Sequence, residues 1–268
     1  MSTRAELKEK AKEQIKGNIG ILFLCGLVVF AISLVSVVPF IGSIAVFVCA
    51  PAFMLSIIMI YLALTQGTRP MVADVFKGFN MLGKALWLYI IISFFLFLWS
   101  LPALIPMFVM IGKMIYNIAW LAMSDADIIT PTFMSFDYVN PGVLWDNISL
   151  IYIFGIMLLT FVLAVPAYIK MFSYSMAYYV LAENPTFKAR EALNESKLIM
   201  KGQKMRLFVL YLSFVLWGLL GIITLGIAYI YVFPYIEATV ANFYLDIKRK
   251  PETERIEAGE FLAAGEPV

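Results

Sequence analysis

The sequence contains no histidine among its 268 residues. This absence excludes Ser-His-Asp and Cys-His catalysis, zinc sites with histidine ligands and HExxH chemistry. Cysteine is scarce as well: Cys25 and Cys49 lie in different apolar stretches and form no CxxC pair. We interpret both as small, buried hydrophobic residues. The sequence therefore predicts no catalytic residues, no metal site and no cofactor.

Charged residues are also few. They make up 14% of the chain, whereas hydrophobic residues make up 62%. An average soluble domain is roughly 25% charged and about 45–50% apolar, so this chain lacks the polar surface that a soluble protein needs. The formal net charge of +2 does not indicate a nucleic-acid partner. The composition predicts an integral membrane protein that has membrane lipids as its surroundings.

Six apolar stretches are long enough to form membrane helices, which need about 20 residues to cross a core of ~30 Å. They cover residues 19–38, 41–64, 85–104, 155–180, 207–220 and 223–247. The fifth is short and needs neighbouring residues to complete its crossing. Two connections are tight, at Pro39-Phe40 and around Gly221, and tight connections predict antiparallel hairpins. We expect an all-α, polytopic membrane bundle of six transmembrane helices.

The basic residues indicate the orientation of the bundle. The N-terminal segment, the second and fourth connections and the C-terminal end together carry 18 of the 20 lysine and arginine residues. The opposite side carries Lys113 with the acidic residues Asp125, Asp127, Asp137 and Asp146. Cytoplasmic segments of membrane proteins are enriched in lysine and arginine. Both termini are therefore predicted to be cytoplasmic.

A threefold internal pattern divides the chain into hairpins. A hydrophobic-Lys-Gly tripeptide precedes each hairpin, and the second helix of each contains a proline. The tripeptides are Ile15-Lys16-Gly17, Phe76-Lys77-Gly78 and Met200-Lys201-Gly202, and the prolines are Pro51, Pro166 and Pro234. We interpret the chain as three pseudo-repeated hairpins, although such short patterns also recur by chance in apolar helices.

Each hairpin is predicted to follow a cytoplasmic amphipathic helix lying along the membrane surface. The first such helix has a capping box, Thr3 with Glu6. Its narrow apolar stripe consists of Leu7, Ala11 and Ile15. The third opens with Asn184-Pro185, a cap residue followed by proline at the first helical position. Its apolar or small positions are Ala189, Leu193, Ser196 and Met200.

The second repeat holds an insertion at about residues 105–154, within a single membrane domain of residues 1–250. Its apolar stretch, residues 107–123, is interpreted as an outward-facing interfacial or re-entrant helix followed by an acidic loop. An additional pair of spans is the alternative, but it would place the acidic loop in the cytoplasm, against the charge rule. Residues 251–268 carry five glutamates against one arginine and are predicted to be a disordered tail.

Two charged residues lie well inside predicted spans, where charges are costly and mark functional positions. Lys170 follows Pro166 by four residues, and Glu237 follows Pro234 by three. If the repeats superpose, the two charges have nearly the same depth, and pairing would lower the cost of burying each. Tyr174 and Tyr178 follow Lys170 on one helical face, and Asn242 follows Glu237 by five residues. These five residues form the predicted polar cluster, a structural latch or part of a ligand or proton path.

A different arrangement of the two charges is also possible. Lys170 can extend its amine to the lipid head groups. Glu237 can then bond a local hydroxyl such as that of Tyr235 or Thr239. A direct pair requires the charged atoms to lie within roughly 4 Å.

Several segments resemble a bacterial membrane family catalogued as domain of unknown function 975. They are residues 4–8, 97–101, 173–177, 181–185, 191–193, 196–197, 200–202, 212–214 and 234–238. Where the family is expected to have Ile-Pro-Gly, this sequence has Val165-Pro166-Ala167. The resemblance implies a multi-pass protein of the bacterial cytoplasmic membrane and no particular activity.

The chain is also distantly similar to the membrane portion of some glycerophosphodiester phosphodiesterases. That portion is not catalytic, so the similarity does not imply an enzyme. It suggests a membrane partner for lipid or envelope metabolism.

Three functions are compatible with these features. The first is a non-enzymatic protein that binds a lipid, a small amphiphile or a partner membrane protein. The second is a transporter or permeation component that uses the predicted polar cluster. The third is a membrane enzyme, which the missing histidine and the lack of deep carboxylate pairs disfavour. The sequence favours the first function.

Overall fold

The structure is a computed structural model that describes residues 2–38, 41–124 and 150–264. The chain divides into two compact units. Unit 1 comprises Met1–Ser93 and Met171–Val268, and unit 2 comprises Phe94–Lys170. The described residues contain helices and turns but no strands, so the all-α prediction is confirmed.

The α-helices of the described residues are labelled α1 to α10 in chain order. Two 3-10 segments, Leu34–Val37 and Val72–Met81, lie between them. The helices are α1 Arg4–Ile15, α2 Ile19–Ser33, α3 Ile41–Thr65, α4 Leu82–Ser124, α5 Leu150–Tyr174, α6 Ala177–Glu183, α7 Ala189–Ile199, α8 Lys204–Leu212, α9 Val215–Ile223 and α10 Tyr229–Ala264.

Five helical segments of the described residues are long and apolar enough to cross a membrane. They are Ile19–Val37, Gly42–Thr65, Val72–Tyr116, Phe154–Glu183 and Lys204–Ile223. The sixth predicted span, residues 223–247, falls mostly in α10. Polar residues such as Glu237, Asn242 and Asp246 lower the hydropathy of that helix. The six-helix count therefore stays a prediction.

Helix α1 begins as its sequence predicts. Thr3 accepts the backbone N–H of Glu6, and the Glu6 side chain accepts the backbone N–H of Thr3, so the capping box is present. The predicted stripe of Leu7, Ala11 and Ile15 is buried, at 2%, 0% and 1% exposure. The stripe packs inside unit 1, where α1 contacts α10 and α3. Apolar burial thus joins α1 to the rest of the unit.

The connection between α3 and α4 is held against α3 by close backbone contact. The backbone N–H of Gly78 donates to the Ser56 hydroxyl at 2.8 Å, and this hydroxyl donates to the Ala52 carbonyl at 2.9 Å. A Cβ atom at Gly78 would lie 2.1 Å from the Ala52 carbonyl oxygen. Only glycine fits at this position without a backbone shift.

The three glycines of the predicted repeat do not share one conformation. Gly17 and Gly202 have φ angles of +82° and +77°, in the left-handed region that favours glycine. Gly78 lies in the 3-10 segment instead and is required by its contact with α3. The threefold repeat stays a prediction.

Helix α7 begins later than predicted. Asn184-Pro185 was expected to open it, but Asn184 instead follows the last residue of α6, and its backbone N–H donates to the Val180 carbonyl. The helix starts after Lys188, whose backbone N–H donates to the Glu191 carboxylate at 2.8 Å. A side chain that accepts a free N–H group of the first turn stabilises the start of a helix. The expected inner positions, Ala189, Leu193, Ser196 and Met200, are all buried.

The last hairpin turns at a different glycine from the predicted one. Helix α9 continues through Gly221, and the chain reverses at Leu225 and Gly226, which have φ angles of +49° and +94°. Gly221 lies close to another side chain instead: a Cβ atom there would lie 2.4 Å from the ring of Tyr229, which would have to shift. The other predicted tight connection, Pro39-Phe40, lies outside the described residues.

The predicted insertion is not a separate interfacial or re-entrant helix over residues 107–123. Helix α4 runs for 43 residues and includes Pro102 and Pro106. At 1.5 Å per residue it is about 65 Å long. No polar segment separates the two apolar stretches, and apolar helices tolerate internal proline where other groups satisfy the freed carbonyls. Residues 125–149, with most of the acidic loop, lie outside the described residues.

The end of the chain also differs from its prediction. Helix α10 continues through Pro251 to Ala264, across most of the predicted disordered tail. The segment contains Ala, Glu and Arg, which favour helices. Residues 265–268 lie outside the described residues.

Candidate functional site

Three members of the predicted polar cluster have partners outside it. The Tyr178 hydroxyl donates to the Ala85 carbonyl at 3.2 Å. The Asn242 side chain bonds the side chain of Gln14. The ring of Tyr174 lies under the amine of Lys197, with 5.6 Å between the nitrogen and the ring centroid. These contacts are structural and link helices of unit 1.

The two charges of the predicted cluster belong to different units. Lys170 lies in unit 2, where its amine is 4.8 Å from the centroid of the Trp99 ring. This contact is a cation–π interaction, which stabilises a lysine in an apolar setting. Glu237 lies in unit 1. Their direct pairing stays a prediction.

Glu237 lines a cavity of about 540 Å³ in unit 1. Helices α2, α3, α8 and α10 form most of its wall, together with the turn and helix that follow α5. The lining residues from α3 include Cys49, Phe53, Met54, Ile57 and Ile58. This volume falls in the range of ~300–1,000 Å³ typical of small-molecule sites.

The wall of the cavity is mainly apolar, and its polar groups are few. The polar side chains are those of Ser33, Cys49, Ser175, Tyr179, Tyr211 and Glu237. Sites of this kind hold the body of a ligand by shape and orient it by a few polar groups. The cavity can therefore accept a largely hydrocarbon molecule that carries one polar group.

The Glu237 carboxylate has no hydrogen bond or ion pair to any residue that the structure describes. The local hydroxyl of Thr239 does not satisfy it. The Thr239 hydroxyl donates to the Tyr235 carbonyl at 2.6 Å. Glu237 thus presents an unsatisfied acidic group to an apolar cavity, where such a group is costly.

A second, more polar pocket of about 420 Å³ lies farther along α3, α6 and α10. Its lining includes Gln66 at the end of α3, Glu183 and Asn184 at the end of α6, and Lys248 on α10. The Lys248 amine lies 2.7 Å from the Glu183 carboxylate. This pocket is built from charged and amide groups that suit an aqueous boundary.

Buried tyrosines lie along α3, α6 and α10, the helices that contribute to both pockets. Tyr179, in the cavity lining, and Tyr244 stack with ring centroids 5.2 Å apart, and the Tyr244 hydroxyl donates to the Glu183 carboxylate at 2.5 Å. Tyr61, 5% exposed, lies on α3 among the positions that line the polar pocket, three residues after Ile58 of the cavity lining.

Sequence reasoning found Glu237 but missed the tyrosines that share its cavity. Tyr178 and Tyr179 are adjacent in the chain and point about 100° apart on a helix. The sequence does not decide which of these two faces meets α3 and α10. Cys49 was expected to be buried like Cys25, but only Cys25 is; Cys49 lies in the cavity wall. No sequence signal identifies Tyr211.

A known protein family matches this chain. A family model described as Protein of unknown function (DUF975) matches residues 1–251. No curated protein matches the chain. No solved structure matches it either.

Proposed function

This chain belongs to the DUF975 family of proteins of unknown function, and we propose that it is a non-enzymatic integral membrane protein that binds a small amphiphile. The observation that carries the proposal is the cavity of about 540 Å³ with the carboxylate of Glu237 in its wall. We infer a binding site because an apolar cavity with a few polar groups is the usual form of a ligand site.

The bilayer that surrounds the protein limits which interactions can make the cavity selective for its ligand. An amphiphile that enters from the bilayer leaves lipid tails that are as apolar as the cavity wall, so hydrophobic transfer adds little free energy. Shape and the polar groups must then provide the selectivity. The bound molecule therefore has a hydrocarbon body that fits between α2, α3 and α10, and a polar group that reaches Glu237.

Native mass spectrometry of the gently solubilised protein tests this proposal. We expect the wild-type protein to retain one small amphiphile per chain. Ile57 lines the cavity, so the variant Ile57→Trp should fill part of the space and lose the ligand. Leu216 is 77% exposed on α9, so Leu216→Trp adds the same ring outside the cavity and serves as the control. An empty wild-type protein, or equal retention by Ile57→Trp, would contradict the proposal.

Transport is the second candidate function, and the presence of two pockets along α3, α6 and α10 favours it. A transported amphiphile would move along these helices from the apolar cavity to the polar pocket near Lys248. Radiolabelled dodecylamine in proteoliposomes separates transport from binding. A transporter accelerates the exchange of label across the vesicle membrane, and the variant Tyr61→Trp should slow this exchange by placing a larger ring on α3 beside the polar pocket. A binding protein captures the label without accelerating its exchange.

A further inference from the structure

We propose that the amphiphile bound in the cavity carries a cationic ammonium group, and that Glu237 is the residue that recognises it. This inference rests on the proposed binding function and names the chemical class of the ligand. It follows from the charges of the lining, the hydrogen bonds of the serine hydroxyls in the lining and the absence of a partner for the carboxylate among the residues that the structure describes.

The described lining of the cavity carries one carboxylic acid and no base. Lysine and arginine are missing from the residues that contact the space, and Glu237 is the charged one among them. An anionic ligand would meet the like charge of the carboxylate there. The negative charge of Glu237 in the lining thus favours a cationic ligand over an anionic one.

The two serine hydroxyls of the lining do not supply the missing partner. The Ser33 hydroxyl donates to the Phe30 carbonyl at 2.6 Å, and the Ser175 hydroxyl donates to the Phe172 carbonyl at 2.9 Å. Each of these protons is therefore committed to the carbonyl of the preceding helical turn. The carboxylate keeps its acceptor capacity for a ligand.

A cationic ligand supplies both the positive charge and the hydrogen-bond donors that the Glu237 carboxylate lacks. An ionised carboxylate in an apolar space is costly unless a cation or several donors accompany it. An ammonium group brings a positive charge and up to three N–H donors to the carboxylate. The rings of Phe53, Tyr179 and Tyr211 in the same lining can also face a cation. The hydrocarbon part of the ligand then occupies the apolar remainder of the cavity.

Three probes with the same twelve-carbon chain test the inference: dodecylamine, dodecanol and dodecanoate. Binding to the solubilised full chain is measured at pH 7, where the amine is protonated. We expect dodecylamine to bind about tenfold or more tightly than dodecanol, as one charge-assisted hydrogen bond predicts. Dodecanoate should bind most weakly.

Four variants assign the preference to one carboxylate. In Glu237→Gln the preference for the amine should fall to within about twofold. Glu9 is exposed on α1, so Glu9→Gln removes the same charge away from the cavity and should behave as wild type. Lys170→Met should also keep the preference, because the ligand and not Lys170 supplies the cation. Ile57→Trp should weaken both dodecylamine and dodecanol.

The outcomes separate this inference from the proposed function. If the wild-type protein binds amine and alcohol equally and Ile57→Trp loses both, the cavity binds amphiphiles but the cationic class is wrong. If no probe binds, or if Ile57→Trp changes nothing, the proposed function itself is wrong. If Glu237→Gln does not fold, the wild-type ratio of amine to alcohol decides, and Glu237→Asp should retain part of it.

Discussion

The side chains of Gln14 and Asn242 hydrogen-bond to each other in both directions, although they lie 228 residues apart in the chain. Gln14 Nε2 donates to Asn242 Oδ1 at 3.3 Å, and Asn242 Nδ2 donates to Gln14 Oε1 at 2.6 Å. Asn242 also donates to the Ala238 carbonyl at 2.8 Å. The amide pair joins α1 to α10 next to the buried stripe of α1.

Replacing one amide of this pair should destabilise the protein. Asn242 is 8% exposed, so Gln14→Leu leaves a buried polar group without its partner. We expect the free energy of unfolding to fall by about 1–3 kcal/mol, measured by denaturant unfolding in detergent. The double variant Gln14→Leu/Asn242→Leu should lose less than the sum of the two single variants. Strictly additive losses would contradict a direct interaction.

The ion pair between Arg206 and Asp246 should matter more than the one between Lys77 and Asp74. Arg206 Nη2 lies 2.6 Å from the Asp246 carboxylate, and the two side chains are 20% and 14% exposed. Ser2 also donates its backbone N–H and its hydroxyl to this carboxylate, at 2.9 Å each. This carboxylate therefore connects the start of the chain to α8 and α10.

Asp246→Asn should lower the free energy of unfolding substantially, because it leaves the charge of Arg206 without an acid. Breaking a fully buried pair costs roughly 3–5 kcal/mol, and partial exposure here reduces that value. Lys77 is 59% exposed. Lys77→Met is the control and should cost about 1 kcal/mol or less. If thermal unfolding shows equal losses of stability for the two variants, the Arg206–Asp246 pair contributes no more than the Lys77–Asp74 pair.

Gly78→Ala should destabilise unit 1, because the new methyl group would clash with backbone and not only with a movable side chain. It would lie 2.1 Å from the Ala52 carbonyl oxygen and 2.6 Å from the Ser56 hydroxyl oxygen. Gly83 is the matched control, since a Cβ atom there would meet nothing within 4 Å. Gly83→Ala should leave the melting temperature unchanged or raise it. The gain in the free energy of unfolding should be at most about 1 kcal/mol. Similar melting temperatures for both variants would contradict the close contact.

The predicted orientation can be tested by cysteine labelling in a Cys25→Ala/Cys49→Ala background. Lys10→Cys lies in the basic N-terminal segment, and Asp137→Cys lies in the predicted outer loop. A membrane-impermeant maleimide should label Lys10→Cys in inside-out vesicles only and Asp137→Cys in right-side-out vesicles only. Labelling of both positions after solubilisation is the control. The reverse pattern would overturn the prediction that both termini are cytoplasmic.

Several features of the fold were predictable because they depend on short stretches of chain. The capping box at Thr3 and the stripe at Leu7, Ala11 and Ile15 were predicted and are present. The start of α7 was predicted wrongly because two local signals compete. Asn184-Pro185 resembles a helix start, yet Asn184 ends α6, and Glu191 stabilises the start after Lys188.

The candidate site was predictable in part. Glu237 stands out because a charge in an apolar helix is costly wherever the helix lies. Its neighbours could not be derived in the same way. The cavity combines Glu237 with side chains such as Phe53 and Tyr211, which belong to helices far apart in the chain.

The all-helical fold, its richness in apolar helices and the unusual position of Glu237 could be inferred from the amino-acid sequence. Composition, hydropathy and helix-start signals act within a few turns of one helix, so they can be evaluated along the chain. The tertiary structure alone decided that Asn242 bonds Gln14, that Gly78 meets Ala52, and that Glu237 faces a cavity. These contacts depend on which helix faces meet, and apolar side chains of similar size fit many such arrangements.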